Sequence, residues 1–320
     1  MQQHLKLFAP AVHSVERARR RGRLIWLSLV LMACVFAVHS GLRAQSDRSG
    51  TVQGEKPPDR FAPLEEMRIH YRSYGEGGTA VVFVHGWSCG LDFWRLQVPA
   101  LNGRVRLILL DLPGHGESDK PQMTYTQDLF ARSVDAVLHD AVVNQAILVG
   151  HSLGALVVRH YYRRFPSRVA AVVFVDGNLR WRGTREDRER SVAPFRESGY
   201  REAADRMIEN FFIPETPAAL REEIKASMLG TPQHVMVGAM ESLSDPVVWA
   251  TDEIPVPSLG IYKKKNWPAD NEQFLRGFIP QLQYLQWDSV GHFVMMERPR
   301  EFNEALVAFL VKGGWIQGQQ

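Results

Sequence analysis

From Met67 onward, short apolar runs alternate with longer helical patterns, and that alternation constrains the fold more tightly than any other feature of the chain. The runs are Met67 to Tyr71, Ala80 to Val84, Val105 to Leu110, Gln145 to Val149, Val169 to Val175, Ser258 to Tyr262 and Gln283 to Trp287. Strands that are apolar almost throughout are buried on both faces, which a parallel sheet between two helical layers achieves. Helix-like spacing fills the intervals at Leu91 to Leu101, Gln127 to Val142, Leu153 to Phe165, Asn271 to Phe278 and Arg300 to Val311. The expected class is therefore α/β, with a mostly parallel central sheet flanked by helices. One interval breaks the rhythm, because about eighty residues separate the run ending at Val175 from the one beginning at Ser258. A structureless loop of that size is improbable in a compact domain. Its helical segments, Arg185 to Glu197, Tyr200 to Phe212, Pro217 to Met228 and His234 to Leu243, predict a helical cap inserted at about 178–252. Met207, Phe211, Phe212, Met228, Met236, Met240 and Trp249 recur within it. They either pack the cap onto the body or line an adaptable apolar pocket.

The chain carries 38 basic and 35 acidic residues, but seven of the former and one of the latter lie in the first 44. The remainder holds 31 basic against 34 acidic side chains, so there is no electrostatic case for a nucleic-acid partner. Residues 1–44 read as a signal peptide or an N-terminal membrane anchor. A basic stretch from Arg17 to Arg23 precedes the apolar run Leu24 to Val38, and the small residue Ala44 follows. Leu42 suits cleavage at Ala44 poorly, which keeps an uncleaved tether through 24–38 open, and lipid attachment at Cys34 is a weaker third possibility. Each alternative predicts an exported domain, periplasmic or extracellular. Residues 45–60 are polar, with Gly50, Gly54, Pro57 and Pro58, and read as a flexible linker to a domain at 61–320. Without its leader the chain keeps Cys89 as its one cysteine, so the core must supply stability with no intrachain disulfide.

The chemistry concentrates at Gly150-His151-Ser152-Leu153-Gly154, which follows the apolar strand Ala146 to Val149 and opens the helical stretch Ala155 to Phe165. A serine flanked by glycines at a strand-to-helix turn is lifted out of the sheet as an exposed nucleophile. With this motif, with His85-Gly86-Trp87 ending a strand, and with Asp111-Leu112-Pro113-Gly114-His115-Gly116-Glu117-Ser118 after the next, the chain resembles the α/β-hydrolase fold family from Met67 to Leu310. The resemblance implies that the backbone N–H groups of Trp87 and Leu153 hold a developing oxyanion. It also implies that His292, in Ser289-Val290-Gly291-His292-Phe293 before the last helix, is the base that takes the Ser152 proton. Asp111 and His115 read as structural, because turn geometry explains that glycine-rich run. His70, His139, His160 and His234 read as ordinary core or surface residues.

The acid that orients His292 is the open position. Where the family commonly carries an aspartate, after Ser258 to Tyr262, this chain has Lys263-Lys264-Lys265-Asn266. Two carboxylates could substitute. Asp176 ends the strand after the nucleophile's helix, as in some family members, and is favoured; Asp270 is the alternative.

An elbow serine disfavours the dehalogenase and epoxide hydrolase activities that use an aspartate there. No metal-binding spacing is present and no cofactor is implied. The expected activity is hydrolysis of a small-molecule carboxylic ester or related acyl compound through an acyl-enzyme on Ser152. Lactonase, amidase, aminopeptidase, carbon–carbon bond hydrolase and cofactor-free haloperoxidase chemistry remain open, since pocket shape selects among them. A ligand-binding receptor on the same fold is the non-enzymatic alternative, favoured by the missing acid at Asn266.

Overall fold

The computed structural model describes residues 56–180, 183–264 and 267–318. The expected leader, with Cys34 and the apolar run 24–38, most of the linker, and Asn266 lie outside the described residues. Among the described residues no helix is long and apolar enough to cross a membrane.

Eight strands form one sheet: β1 (Arg60–Leu64), β2 (Met67–Tyr74), β3 (Thr79–Val84), β4 (Arg106–Leu110), β5 (Gln145–His151), β6 (Val169–Val175), β7 (Ser258–Lys263) and β8 (Leu282–Trp287). Their spatial order is β1-β2-β4-β3-β5-β6-β7-β8. β2 pairs antiparallel with β1 and β4, whereas the pairings from β4 to β8 are all parallel. The β3–β6 side chains are buried almost throughout, as the unbroken apolar runs require.

Strand β1 was not expected, and its first residue, Arg60, falls inside the predicted linker. Its sequence Arg-Phe-Ala-Pro-Leu is short, buries only Ala62 fully and contains Pro63, properties an edge strand tolerates and a periodicity search overlooks. The preceding Asp59 is tied down as well, with its Oδ1 2.9 Å from His70 Nε2 and 2.6 Å from Arg72 Nε.

Helices α1 (Gln127–Asp140) and α2 (Leu153–Arg164) pack together, and α8 (Pro299–Lys312) closes the chain. Between β6 and β7 lie α3 (Arg185–Arg196), α4 (Tyr200–Glu209), α5 (Ala218–Leu229) and α6 (Gln233–Glu241), with α7 (Asn271–Arg276) following β7. A capping box at Thr184 and Asp187 starts α3, because each side chain bonds the other residue's backbone N–H. The segment Leu91 to Leu101 is not one helix. It forms two separate turns, Leu91–Trp94 and Val98–Leu101, with Pro99 entering at the second.

The chain runs from β3 outward to β4, then returns to β5 on the other side of β3. Such a reversal leaves a crevice at the carboxyl ends of the strands, where ligands bind in open α/β sheets. A buried polar hub beneath it fixes the neighbouring turns. Asp111 accepts hydrogen bonds from the Leu91 and Glu117 amides at 2.7 and 3.0 Å, and its Oδ2 lies 2.6 Å from His70 Nδ1. A Cβ on Gly116 would collide with that carboxylate. The sequence reading of Asp111 as structural agrees with this hub. Asp111→Ala should destabilise the protein by about 3–5 kcal/mol, because it strands a buried imidazole and two amides. Chemical denaturation would measure it, and a loss under about 1 kcal/mol would remove the hub from the account.

Candidate active site

The carboxyl ends of β3, β5, β6 and β7, with the loop after β8, converge on a cavity of about 390 Å³. Ser152, His292, Asp176, Trp87 and Leu153 all line it. Ser152 joins β5 to α2 in an unusual conformation, φ 54° and ψ −117°, with its amide bonded to the Val175 carbonyl at 3.0 Å. That strain, of order 1–3 kcal/mol, persists only where the surroundings over-determine it. The glycines of the motif supply the constraint. A side chain on Gly150 would strike the Gly154 carbonyl, and one on Gly154 would strike that of Val84.

Asp176 also has a left-handed backbone, at φ 44°, directly after β6. Its Oδ2 lies 2.6 Å from His292 Nδ1, while Oδ1 accepts from the Trp267 indole at 2.8 Å and the Lys263 amide at 3.1 Å. Burial alone would raise this carboxyl's pKa. The His292 hydrogen bond and charge, with smaller contributions from Lys263 and Trp267, hold it below the usual carboxylate range instead. An ionised Asp176 fixes the proton of His292 on Nδ1 and leaves Nε2 as an acceptor.

Asp270, the alternative acid, is elsewhere: it pairs with Arg180 Nη1 at 2.8 Å at the start of α7. A carboxylate, that of Asp176, thus meets His292, which answers the missing acid that favoured a non-enzymatic receptor.

Several supports of His292 escaped sequence reasoning. His151, the second residue of the glycine-flanked motif, donates from Nε2 to the His292 carbonyl at 2.9 Å, and the two rings lie 4.6 Å apart. Burial and the adjacent His292 depress the His151 pKa to about 3, so it stays neutral and keeps that donor. The His292 amide donates to the Phe211 carbonyl at 2.8 Å, just beyond α4, and the Phe211 ring packs 4.6 Å from the imidazole. Glu297 accepts from the Gly291 amide and from Thr216 Oγ1, at 2.8 and 3.0 Å. The cap segment therefore holds the histidine loop as well as roofing the cavity. No local signal marked these residues, because each contact spans elements far apart in sequence.

Opposite the serine, Gly86 lets the β3 loop approach closely, since a Cβ there would sit 3.0 Å from Ser152 Cβ. The Trp87 indole donates to the Met236 carbonyl of α6 at 2.9 Å, anchoring this loop to the cap. Among the described residues the Trp87 and Leu153 amides have no backbone acceptor, so both remain available as donors. No hydrogen bond links Ser152 Oγ to His292 among the described residues. Such bonds commonly tighten only with substrate in place.

Of the recurring cap residues, Met207, Phe211, Met228, Met240 and Trp249 line the cavity, whereas Met236 is wholly buried and Phe212 packs against Phe293. Both readings of that group therefore apply, to different members. Cys89 also lines the cavity, and burial pushes its thiol pKa far up, which leaves it a poor nucleophile.

The model of the Alpha/beta hydrolase family matches residues 81–305 of this chain. The chain belongs to the α/β hydrolase family. It is 28% identical to a dihydrolipoyllysine-residue acetyltransferase component of an acetoin cleaving system from Pseudomonas putida, over 82% of this chain and 72% of the relative. A pimeloyl-[acyl-carrier protein] methyl ester esterase from Vibrio campbellii is 25% identical, over 73% of this chain and 95% of the relative. Among solved structures, a thermophilic esterase from Thermogutta terrifontis superposes with a TM-score of 0.70 at 22% identity, covering 80% of this chain and 99% of that one. This last likeness speaks to the fold of the α/β hydrolase and to nothing finer.

Proposed function

We propose that this α/β hydrolase cleaves carboxylic esters of small or medium acyl compounds through a covalent acyl-enzyme on Ser152. The observation carrying the reading is the 2.6 Å contact between Asp176 and His292 Nδ1 in the same cavity as an elbow serine. In this mechanism Ser152 Oγ attacks the ester carbonyl as His292 Nε2 takes its proton. Asp176 stabilises the resulting imidazolium, and the Trp87 and Leu153 amides donate hydrogen bonds to the carbonyl oxygen as its negative charge develops. Return of the proton to the leaving alcohol releases it. Water activated by the same histidine then hydrolyses the acyl-enzyme, and Ser152 regains its proton.

The apolar wall of Met207, Met228, Met240, Leu243 and Trp249 favours an aliphatic or aromatic acyl group, because flexible thioethers adapt to irregular apolar shapes. The methyl ester esterase relative supports ester over amide chemistry. A fluorophosphonate probe should label Ser152 of the folded protein, and a short-chain p-nitrophenyl ester should be turned over with a burst. Folded protein that does neither would overturn the proposal. The basic and apolar stretches at 17–38 support the reading that this activity is exported, which fractionation of cells carrying the full chain would test.

A further inference from the structure

One contact at the site has no part in the mechanism above. Lys263, the last residue of β7, lines the cavity with its side chain only 12% exposed, and its Nζ lies 3.7 Å from Asp176 Oδ2. That is the same carboxylate oxygen that contacts His292 Nδ1. A carboxylate facing one cation gives it the full attraction of its charge. One that also faces a second cation in a poorly solvated site offers the imidazolium less. We infer that Lys263 is a positioning residue that shares the Asp176 charge with His292 and so loosens the carboxylate's hold on the imidazolium that forms when the serine proton is taken. This role rests on the reading of Ser152 as the nucleophile.

The other groups around the pair do not supply such a charge. His151, at the end of β5, is neutral and touches His292 through its carbonyl. Tyr262 of β7 and Tyr284 of β8 face Asp176, and burial raises the pKa of both phenols, so they stay uncharged. Trp267 donates to Asp176 without charge, and the cap contributes the Phe211 carbonyl and ring to His292. Glu297 bonds the amides of Gly291 and Phe293, the two residues flanking His292. The neighbouring Lys264 is turned outward to Asp288 at 3.2 Å. Among the described groups in contact with Asp176, Lys263 is thus the added cation.

The test is the pH profile of Ser152 labelling by a fluorophosphonate in the full chain and in its Lys263→Met, Lys263→Gln and Lys263→Arg variants. Without Lys263 the Asp176 charge acts on His292 alone and stabilises the imidazolium more strongly. The acid limb should move up by about one pH unit in the Met and Gln variants, which is about tenfold slower labelling well below the midpoint. Arg should restore the wild-type limb. A purely structural lysine predicts a lower plateau with an unmoved midpoint in the Met and Gln variants, and that result overturns the inference. Either neutral variant suffices if the other fails to fold, and if both fail, a displaced acid limb in the charge-conserving Arg variant also overturns it. Wild-type protein that takes no label overturns the nucleophile reading, whereas labelled wild type with unmoved variant midpoints overturns only the role of Lys263.

Discussion

Ser152→Ala should lower kcat for a short-chain p-nitrophenyl ester by about 10⁶-fold, since removing the nucleophile of a coupled triad costs nearly as much as removing the whole set. The residual rate should still exceed the uncatalysed reaction by about 10³-fold, because the Trp87 and Leu153 amides remain to receive oxyanion charge. Stability should change by less than about 1 kcal/mol, because Ser152 Oγ faces the cavity and no described hydrogen bond depends on it. The backbone strain at this position is unaffected, as alanine pays the same steric penalty at φ 54°. Steady-state kinetics and a denaturation curve together provide the measurement. A variant that turns over ester at the wild-type rate would show that some other group carries the reaction.

Asp176→Asn should lower kcat by about 10⁴-fold. An amide of the same shape can donate to Nδ1, which drives the imidazole proton onto Nε2, where it blocks acceptance of the serine proton. Asp270→Ala provides the contrast. Its carboxylate is half exposed and bridges Arg180, a pairing worth at most about 1 kcal/mol, so turnover should stay within about twofold of wild type. Reversal of these two effects would move the acid to α7 and break the assignment built on the 2.6 Å contact.

The two predictions differ in how far the sequence alone supported them. Ser152 was legible because every determinant of its exposure is local: an apolar strand, two glycines forced by close backbone approach, and an immediately following helix. His292 was legible from its place after the last strand and its match to a family pattern. The choice between Asp176 and Asp270 was not, since both follow strands of the same sheet. Only the register of β6 against β7 and the turn at φ 44° aim the former at His292. β1 escaped notice because an edge strand with one buried face and a proline leaves almost no periodic trace.

Periodicity and motif chemistry in the chain itself determined the α/β class, the helices between β6 and β7 and the strained turn that carries Ser152, because apolar spacing and glycine placement act over a few residues. The tertiary structure decided which carboxylate meets the imidazole and which cap side chains face the cavity. It alone placed the Lys263 ammonium, the His151 ring and the Phe211 carbonyl around the Asp176–His292 pair. Electrostatic and hydrogen-bonded contacts of that kind depend on distances of a few ångströms between residues up to about 140 positions apart, and no local pattern encodes them.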